Sequence, residues 1–244
     1  MRIDIVTLFP GMFRDTLDES IVARARKRGH IQVCCHQLRE FSLEKNRKVD
    51  DTVFGGGKGM LLTAEPIARC FEAIDEHLGR TSYRIFMSPK GSVMTQSSMT
   101  RLSKHENLVI LCGHYEGIDQ RIIDNYIDEE VSIGDYVLTG GELPAMVLVD
   151  GVSRMLDGVL SDSACFENES HFGGLLEYPQ YTRPENWRGH KVPQVLLSGH
   201  HENIQSWQRK EALLITKERR PDLFAKAEPD KKDLKLMEKH GKCK

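Results

Sequence analysis

Residues 132–145 have the sequence SIGDYVLTGGELPA, which joins a β-rich run, Glu130–Ile133, to a helix-like run, Glu142–Met155. Apolar residues dominate the second run, and Arg154 lies near its end. A β-rich run followed by a glycine-containing loop and an apolar helical segment predicts a strand–loop–helix unit. Repeated units of this kind build α/β folds with parallel sheets.

Four further β-rich runs precede this unit in the chain: Ile3–Phe9, Ile31–Cys35, Tyr83–Met87 and Leu108–Cys112. A helix is predicted between the second and third of them, over Thr63–Leu78. Thr63 is its expected N-cap and Gly79 its stop. Alternating strands and helices predict a mostly parallel sheet that is covered on both faces, and therefore an α/β fold.

The composition changes near Gly158. Residues 160–174 (LSDSACFENESHFGG) are polar, rich in small residues and without periodicity, which is typical of a linker or a loop. We therefore predict an α/β domain over residues 1–159, an interdomain linker over 160–174 and a small helical domain over 175–244.

The last part of the chain contains one clear helical pattern. Ser198 introduces a predicted helix, His201–Lys217, which ends before Pro221. Its apolar residues share one face, which we expect to pack into a core. These residues are Ile204, Trp207 and Leu214.

Composition limits the classes of protein. The 244 residues include 34 Lys and Arg against 36 Asp and Glu, and 39% are hydrophobic, which excludes disorder as the main state. No apolar run approaches the roughly 20 residues of a membrane span, and the N-terminus lacks a signal-peptide pattern. None of the six cysteines forms a C-x-x-C pair, so a zinc ribbon is unsupported and a reducing cytoplasm is expected.

The charge is distributed unevenly. Residues 183–244 hold 15 Lys and Arg against 9 Asp and Glu, whereas residues 1–182 hold 19 against 27. The formal net charge of −2 therefore hides an acidic body and a basic C-terminal part. Such a part can bind a polyanion, although a lysine-rich tail can also be merely solvated, and charge alone does not decide between them.

Three glycine-rich segments are candidates for ligand binding: Gly55–Gly59, Gly113–Gly117 and Ile133–Glu142. None has the spacing G-x-x-x-x-G-K-[ST] or G-x-G-x-x-G, which disfavours enzymes of nucleoside triphosphates and dinucleotides. Any one of them alone is more often a turn than a site. In α/β folds, however, ligands bind at the carboxyl ends of strands, and loops of this kind suit a small ligand that backbone groups contact.

Several segments together resemble a known family. They are Asp4–Pro10, Val49–Asp51 with Gly55–Gly57, Cys112–Asp119, Ser132–Pro144, Tyr181–Pro184, Leu196–Gly199 and Arg219–Leu223. The chain closely resembles the bacterial tRNA (guanine-N1)-methyltransferases, which belong to the SPOUT class of knotted methyltransferases. The matching segments extend over nearly the whole length, and the 132–145 stretch is highly specific.

The resemblance implies a deep trefoil knot in the α/β domain, although chains usually avoid knots. It also implies S-adenosylmethionine as methyl donor, bound in the knot, and a homodimer whose active sites use both subunits. The substrate would be tRNA, methylated at the guanosine immediately 3′ of the anticodon and preceded by another guanosine. The implied donor-site residues are Met87, Ser88, Pro89, Gly113, Tyr115, Glu116, Ile133, Gly134, Asp135, Tyr136, Val137, Leu138, Gly140, Gly141 and Pro144.

The chemistry needs a base and a cation. N1 of guanine carries a proton at neutral pH, so a carboxylate within reach should remove it as the methyl arrives. A guanidinium near O6 should stabilise the negative charge that develops on the base. By resemblance the arginine is Arg154, and the linker position where the family has aspartate is Glu169.

Glu169 departs from the family pattern, because its extra methylene moves the carboxylate by about 1 Å, a displacement that can be costly in catalysis. We hypothesise that Glu169 keeps the role of base, with His171 as the nearby alternative. The family precedent also suggests Mg²⁺ as an aid to proton removal, although the sequence contains no compact set of metal ligands.

Other departures concern the RNA contacts. Phe54 replaces a tyrosine and offers an aromatic surface for a base, and Lys58 replaces a proline and adds a charge that can face a phosphate or simply be solvated. His200 and Gln208 stand where the family more often has Asn and Arg. The expected tRNA-binding residues are Asp50, Phe54, Gly57, Lys58, Gly59, Ser170, Arg209, Lys210, Arg219 and Arg220, with Lys217 as a further candidate.

Two other classes compete with this interpretation. A knotted methyltransferase with a different RNA position would share the donor loops but need not share the linker and C-terminal motifs, which are present here. A non-catalytic RNA-binding descendant should have lost the donor loop, whereas Ser132–Pro144 matches throughout. The sequence therefore favours the tRNA guanine-N1 methyltransferase.

Overall fold

The computed structural model describes residues 1–160 and 169–238, so most of the predicted linker, 161–168, lies outside the described residues. The chain divides into two compact units, Met1–Ser161 and Asp162–Lys244. Within the described residues, no helix has the length and apolarity needed to cross a membrane.

The first unit is built on a five-stranded parallel sheet, which confirms the α/β prediction. In sheet order the strands are β2 (Gln32–Gln37), β1 (Arg2–Thr7), β6 (Asn107–Cys112), β5 (Tyr83–Val93) and β7 (Glu129–Ser132). All five predicted runs are strands, with ends shifted by a few residues. A short antiparallel pair, β3 (Asp50–Thr52) and β4 (Met60–Leu62), lies outside the sheet.

Helices connect these strands. Two short 3₁₀ helices, Pro10–Phe13 and Leu38–Phe41, follow β1 and β2. The α-helices of this unit are α1 (Arg14–Leu17), α2 (Ser20–Lys27), α3 (Ala64–Leu78), α4 (Gln96–Leu102), α5 (Gln120–Tyr126) and α6 (Glu142–Ser153).

Both faces of the sheet are covered. Along β6, Leu108, Ile110 and Cys112 belong to one buried cluster, whereas Val109 and Leu111 belong to another. Because successive side chains of a strand point to opposite faces, the two clusters are the cores on either side of the sheet. This double burial explains why the strands have continuous apolar runs.

Strand β5 is longer than the predicted Tyr83–Met87. Its register with β7 shifts between Met87 and Ser92, and Pro89 in that interval has no N–H for the ladder. A Cβ on Gly91 would lie 2.3 Å from the carbonyl carbon of Glu130, so only glycine allows the strands to approach so closely. The irregularity therefore reflects local sequence that the strand pattern does not reveal.

The predicted helix caps are partly correct. Thr63 is the N-cap of α3, but its hydroxyl donates to the carbonyl of Val49 (3.1 Å) and not to the helix. Gly79 ends the helix with φ +65°, the left-handed conformation that glycine adopts without a Cβ clash. Helix α6 ends at Ser153, and Arg154 is its C-cap.

The second unit is small and mainly helical. It contains a hairpin, β8 (Asn186–Trp187) with β9 (His190–Lys191), and the helices α7 (Gln194–Leu197), α8 (His201–Arg219), α9 (Pro221–Ala227) and α10 (Lys231–Glu238). The N-cap of α8 is His200, without a side-chain hydrogen bond, and the helix extends two residues beyond the predicted end.

The core of the second unit differs from the predicted one. The predicted apolar face, Ile204, Trp207 and Leu214, is only half-buried. The buried residues of α8 are Ala212, Leu213 and Thr216. Thr216 is buried because its hydroxyl donates to the carbonyl of Ala212 (2.6 Å) and accepts from the amide of Leu176 (2.8 Å). The prediction missed this polar anchor, since threonine does not contribute to an apolar pattern.

Candidate active site

The three glycine-rich loops, which are far apart in sequence, meet in the first unit. The amide of Gly141 donates to the carbonyl of Gly113 (2.9 Å), and His114 forms an antiparallel bridge with Gly140. On the other side of the 113–117 loop, the amide of Glu116 donates to the carbonyl of Met60 (3.1 Å). Backbone hydrogen bonds therefore join the second and third loops near the carboxyl end of β6 and connect the second to Met60, which directly follows the first.

Glycine is required where these loops touch. A Cβ on Gly141 would lie 2.7 Å from the Cα of Cys112, and one on Gly59 would lie 2.4 Å from the Cγ of Glu116. A Cβ on Gly113 would lie 2.9 Å from the ring of Phe86. Larger residues would push the loops apart, so these glycines serve close backbone approach as well as turning.

An open cleft of about 660 Å³, including its mouth, lies between the 113–117 loop, the 133–142 loop and residues 86–89 of β5. This volume is within the range of small-ligand sites, and no residue of the 55–59 loop lines the cleft. Every predicted donor-site residue lines it except Gly134 and Asp135. Gly134 has φ +150°, and a Cβ there would lie 2.6 Å from the ring of Tyr136. Gly134 therefore contributes to the loop conformation and not to the cleft lining. Asp135 is exposed outside the cleft lining.

Six lining residues were not among the predicted ones: Phe86, His114, Gly117, Val131, Ser132 and Thr139. Most of them are neighbours of predicted residues in the same loops, so the spacing of the motif alone could have suggested them. Phe86 is different, because it is a buried strand residue whose role depends on the closeness of Gly113.

His114 is the most unusual of these residues. Its Nδ1 is buried and has no hydrogen-bond partner within the described residues. The ring packs edge-on against Phe9 and Tyr115, with centroids 5.0 and 4.9 Å away. A buried polar nitrogen without a partner is costly in a folded protein, and it is expected where a ligand completes the bonding.

The cleft floor contains buried groups that are held in place. Glu142, which is 3% exposed, accepts a hydrogen bond from the hydroxyl of the fully buried Thr7 (2.8 Å). Burial raises the pKa of the Cys112 thiol far above its usual value, with a further contribution from the charge of Glu142. The thiol is therefore protonated at neutral pH and is an inert packing group.

The two predicted catalytic residues belong to different units. Arg154 is half-buried, and its amide donates to the carbonyl of Asp150 (3.2 Å) at the end of α6. Glu169 lies at the start of the described part of the second unit, where its carbonyl accepts from the amide of Phe172 (3.3 Å). Glu169 also lines a polar cavity of that unit together with Gln205 and Gln208.

The comparisons with known proteins agree with this geometry. The family model described as "tRNA (Guanine-1)-methyltransferase TrmD" matches residues 1–226. The chain belongs to the tRNA (guanine-N1)-methyltransferase family. This confirms the resemblance, and with it the assignment of the chain to a class of RNA-modifying enzymes.

The curated relatives include tRNA (guanine-N(1)-)-methyltransferases of Ruminiclostridium cellulolyticum and Clostridium perfringens. The first is 54% identical over 226 residues, which cover 93% of this chain and 97% of the relative. The second is 50% identical over 238 residues, which cover 97% and 99%.

A solved structure is also similar, that of the tRNA (m1G37) methyltransferase from Aquifex aeolicus. It superimposes with a TM-score of 0.76 and 38% sequence identity, and the match covers 93% of this chain and 95% of the other. The fold of the family therefore extends over both units of the chain.

The predicted RNA contacts of the first unit lie on the loop between β3 and β4. Phe54 is 99% exposed at its tip, followed by Gly57, Lys58 and Gly59. Asp50 begins β3. A fully exposed phenylalanine at a loop tip has no role in the core, and its contact with RNA stays a prediction.

The predicted cations of the second unit are mostly engaged with neighbours. Arg209 donates two hydrogen bonds to the carboxylate of Asp233 (2.9 and 2.7 Å), and Arg220 donates two to Asp222 (2.8 and 2.6 Å). Lys210 lies 3.3 Å from Glu211, and its side chain is only 12% exposed. Lys217 sits over the ring of Phe224 (5.9 Å). Their RNA contacts stay predictions.

Ser170 is engaged as well, because its hydroxyl accepts a hydrogen bond from the amide of Glu177 (3.0 Å). Across residues 1–160 and 169–238, no group of three or more His, Cys, Asp or Glu side chains could hold a metal ion. The Mg²⁺ suggested by the resemblance stays a prediction.

Proposed function

We propose that this chain transfers a methyl group from S-adenosylmethionine to N1 of the guanosine immediately 3′ of the anticodon of tRNA, where another guanosine precedes it. The observation that carries the proposal is the cleft that the 113–117 and 133–142 loops of this family member form together with residues 86–89. We further propose that the protein acts in the cytoplasm and that the first unit contains the trefoil knot of the SPOUT class.

The cleft suits the donor chemically. Backbone amides and carbonyls of tightly packed glycine loops can bind adenine and ribose groups, and the half-exposed rings of Tyr115 and Tyr136 offer aromatic surface. The carboxylate of Glu116 suits a positively charged ligand, and the unpartnered Nδ1 of His114 can bond a polar ligand atom. When bound, S-adenosylmethionine supplies a methyl group on a positively charged sulfur.

Two side chains then act on the guanine. The Glu169 carboxylate accepts the N1 proton as N1 attacks the methyl, which prevents positive charge from building up on the base. The Arg154 guanidinium donates to O6, where negative charge grows as the N1 proton leaves.

The first unit also has a surface that suits a second copy of the chain. On α6, Leu143 and Val147 are 52% and 51% exposed and lie four residues apart on one face. The adjacent 3₁₀ helix adds Met12, which is 46% exposed. Contiguous exposed apolar side chains mark interaction surfaces. We propose that this face forms the homodimer and that each active site uses residues of both subunits.

The substrate contacts follow from exposure and charge. Phe54 stacks on an unpaired base near the target, and Lys58 neutralises a phosphate beside it. The cations of the second unit provide the sequence-independent part of the affinity.

The test is methyl transfer from labelled S-adenosylmethionine to a tRNA transcript. Transcripts with guanosine, inosine or adenosine at the target are compared, together with one that lacks the preceding guanosine. We expect methylation at N1 of the guanosine and a strong loss when the preceding guanosine is replaced. Equal methylation without it would refute the proposed specificity but not the methyltransferase, whereas labelling at another position would favour a knotted enzyme with a different target.

A further inference from the structure

The second unit presents a tryptophan that its own core does not use. Trp187 is 57% exposed at the end of β8, and every residue of the β8–β9 hairpin is exposed. The chain has only two tryptophans, and the other, Trp207, is half-buried on α8. A single exposed apolar side chain is common on protein surfaces, so the groups around this ring carry the argument.

The backbone of the hairpin forms a well-defined turn. Its two loop residues, Arg188 and Gly189, have φ +53° and +89°, the pattern of a type I′ turn. The side-chain oxygen of Asn186 accepts from the amide of Gly189 (3.0 Å), and the amide of Val192 donates to the carbonyl of Glu185 (2.9 Å) below the turn. Arg188 adopts a conformation that is unfavourable for a residue with a Cβ. Two hydrogen bonds therefore define the turn, which sets where the backbone of Trp187 lies.

One cation lies over the ring, and two more are close to it in sequence. The guanidinium carbon of Arg188 lies 5.1 Å from the Trp187 ring centroid, and the ring of His190, its cross-strand partner, lies 6.2 Å away at 31°. Lys191 and Arg183 flank the hairpin in sequence, and Glu185 is the only acidic residue over 183–191. An aromatic surface among cations complements a base with its phosphates better than it complements an apolar protein surface.

We propose that this hairpin stacks one unpaired base of the tRNA on Trp187, while Arg188 and Lys191 contact the adjoining phosphates. The proposal rests on the proposed function and adds to it a second aromatic contact, in the other unit from Phe54. Bases in a duplex are already stacked, so the hairpin selects a single-stranded nucleotide. The Arg188 guanidinium stays near the ring and binds the phosphate of the stacked nucleotide.

Tryptophan fluorescence tests the contact directly. The Trp207→Phe variant leaves Trp187 as the only tryptophan, and the Trp187→Phe variant leaves Trp207 as a matched control. Each variant is titrated with an anticodon stem–loop RNA and with a fully paired duplex of the same length, and circular dichroism verifies folding. Binding is followed separately by the anisotropy of labelled RNA.

We expect the stem–loop to quench Trp187 strongly and the duplex to quench it little, with Trp207 nearly unchanged. Unchanged Trp187 emission at saturating stem–loop, with methyl transfer intact, would overturn the hairpin proposal and leave the proposed function standing. Equal quenching by duplex and stem–loop would also overturn it, because contact with phosphates alone would then account for the quenching. Absence of methyl transfer to any tRNA would instead refute the proposed function.

Kinetics provides the second measurement. Trp187→Ala should raise KM for tRNA about 10- to 100-fold, while Trp187→Phe, which keeps a ring, should raise it less. KM for S-adenosylmethionine and the oligomeric state should not change in either variant. Arg188→Asn keeps a residue that tolerates the turn but removes the charge, and it should reduce the salt dependence of tRNA binding. A Trp187→Ala enzyme with unchanged KM for tRNA would contradict the proposal.

Discussion

The amide of Gly141 donates a 2.9 Å hydrogen bond to the carbonyl of Gly113, and this bond joins two loops from neighbouring parts of the sheet. A Cβ on Gly141 would lie 2.7 Å from the Cα of Cys112 and 2.9 Å from the amide nitrogen of Gly113. Both are backbone atoms, which cannot move aside without displacing β6 or its loop. The contact between these two loops therefore depends on the absence of a side chain at Gly141.

The first prediction follows from that contact. Gly141→Ala should separate the two loops and raise KM for S-adenosylmethionine more than tenfold, a loss of about 1.4 kcal/mol or more in binding. Calorimetric titration of the donor provides a direct check. Gly11→Ala is the control, because a Cβ there meets nothing within 4 Å. Unaltered donor affinity in the Gly141 variant would show that the loops tolerate separation.

The second prediction concerns Glu169. Glu169→Gln keeps the shape of the side chain but removes the base, so the rate of methyl transfer in a single turnover should fall about 10²- to 10⁴-fold. Donor binding should persist. Glu169→Asp restores the residue that the family has at this position and should retain most of the activity.

His171→Ala is the comparison for that assignment, because His171 is exposed two residues away. We expect it to stay near the wild-type rate. A near wild-type rate in Glu169→Gln, combined with a large loss in His171→Ala, would transfer the role of base to the histidine.

The third prediction concerns the apolar face of α6. Val147→Glu places a charge among exposed apolar side chains and should convert the dimer into monomers, as measured by analytical ultracentrifugation. Methyl transfer should fall in parallel, since the proposed active sites use both subunits. Leu43→Glu, at a side chain that is 67% exposed in a loop, should leave both properties unchanged. A monomeric wild-type protein with full activity would contradict the shared site.

The fourth prediction is a dependence of stability on pH. Burial of Asp4 opposes ionisation, but hydrogen bonds with His36 (2.7 Å) and Arg2 (2.8 and 2.9 Å) outweigh it and hold the pKa of the carboxyl below its usual value. A carboxyl with a lowered folded-state pKa stabilises the fold above its unfolded pKa of about 3.9, and this stabilisation is lost as the pH falls through the folded-state pKa.

Asp4→Asn should therefore lower the free energy of unfolding by about 1–3 kcal/mol at pH 7, because Arg2 and His36 lose a charged partner. The difference from wild type should shrink below about pH 4. Urea unfolding at fixed protein concentration measures both values. Glu76→Gln, at an exposed carboxylate of α3, should change stability by less than about 0.5 kcal/mol. A difference that did not vary with pH would mean that charge is not what stabilises this site.

The fifth prediction separates two neighbouring arginines. The guanidinium of Arg220 already binds Asp222, whereas no ion pair of Arg219 occurs among the described residues. Arg219→Gln should reduce the slope of log affinity for tRNA against log salt by about 0.7–0.9, the value for one phosphate contact. Arg220→Gln should reduce it less. Equal slopes in wild type and both variants would exclude the two arginines as phosphate contacts.

Much of the fold was predictable because its signals are local. The 3–4 spacing of apolar residues and the left-handed Gly79 define α3, and β-rich runs define all five strands of the sheet. The irregular part of β5 was not predictable, because it depends on the approach of Gly91 to the backbone of Glu130. In α8, the pattern predicted the wrong core face, since Thr216 is buried by hydrogen bonds and not by apolarity.

The candidate site likewise has features that the sequence predicted and features that it did not. The resemblance of residues 132–145 to the family motif predicted seven of the nineteen residues that line the cleft. The motif could not show that Asp135 lies outside the cleft or that Nδ1 of His114 is buried without a partner. These properties depend on the path of the loop in space.

By itself, the sequence determined the α/β class, the family and the residue types that the chemistry requires. These follow from periodicity, glycine spacing and motif identity, which are local features of the sequence. The tertiary structure alone decided that residues 86–89 and the 113–117 and 133–142 segments meet in one cleft. Their meeting depends on the strand order β2-β1-β6-β5-β7, which places distant parts of the chain side by side. It also depends on the absence of a Cβ at the glycines where the backbones touch. Neither the strand order nor these close approaches can be read from the spacing of residues in the sequence.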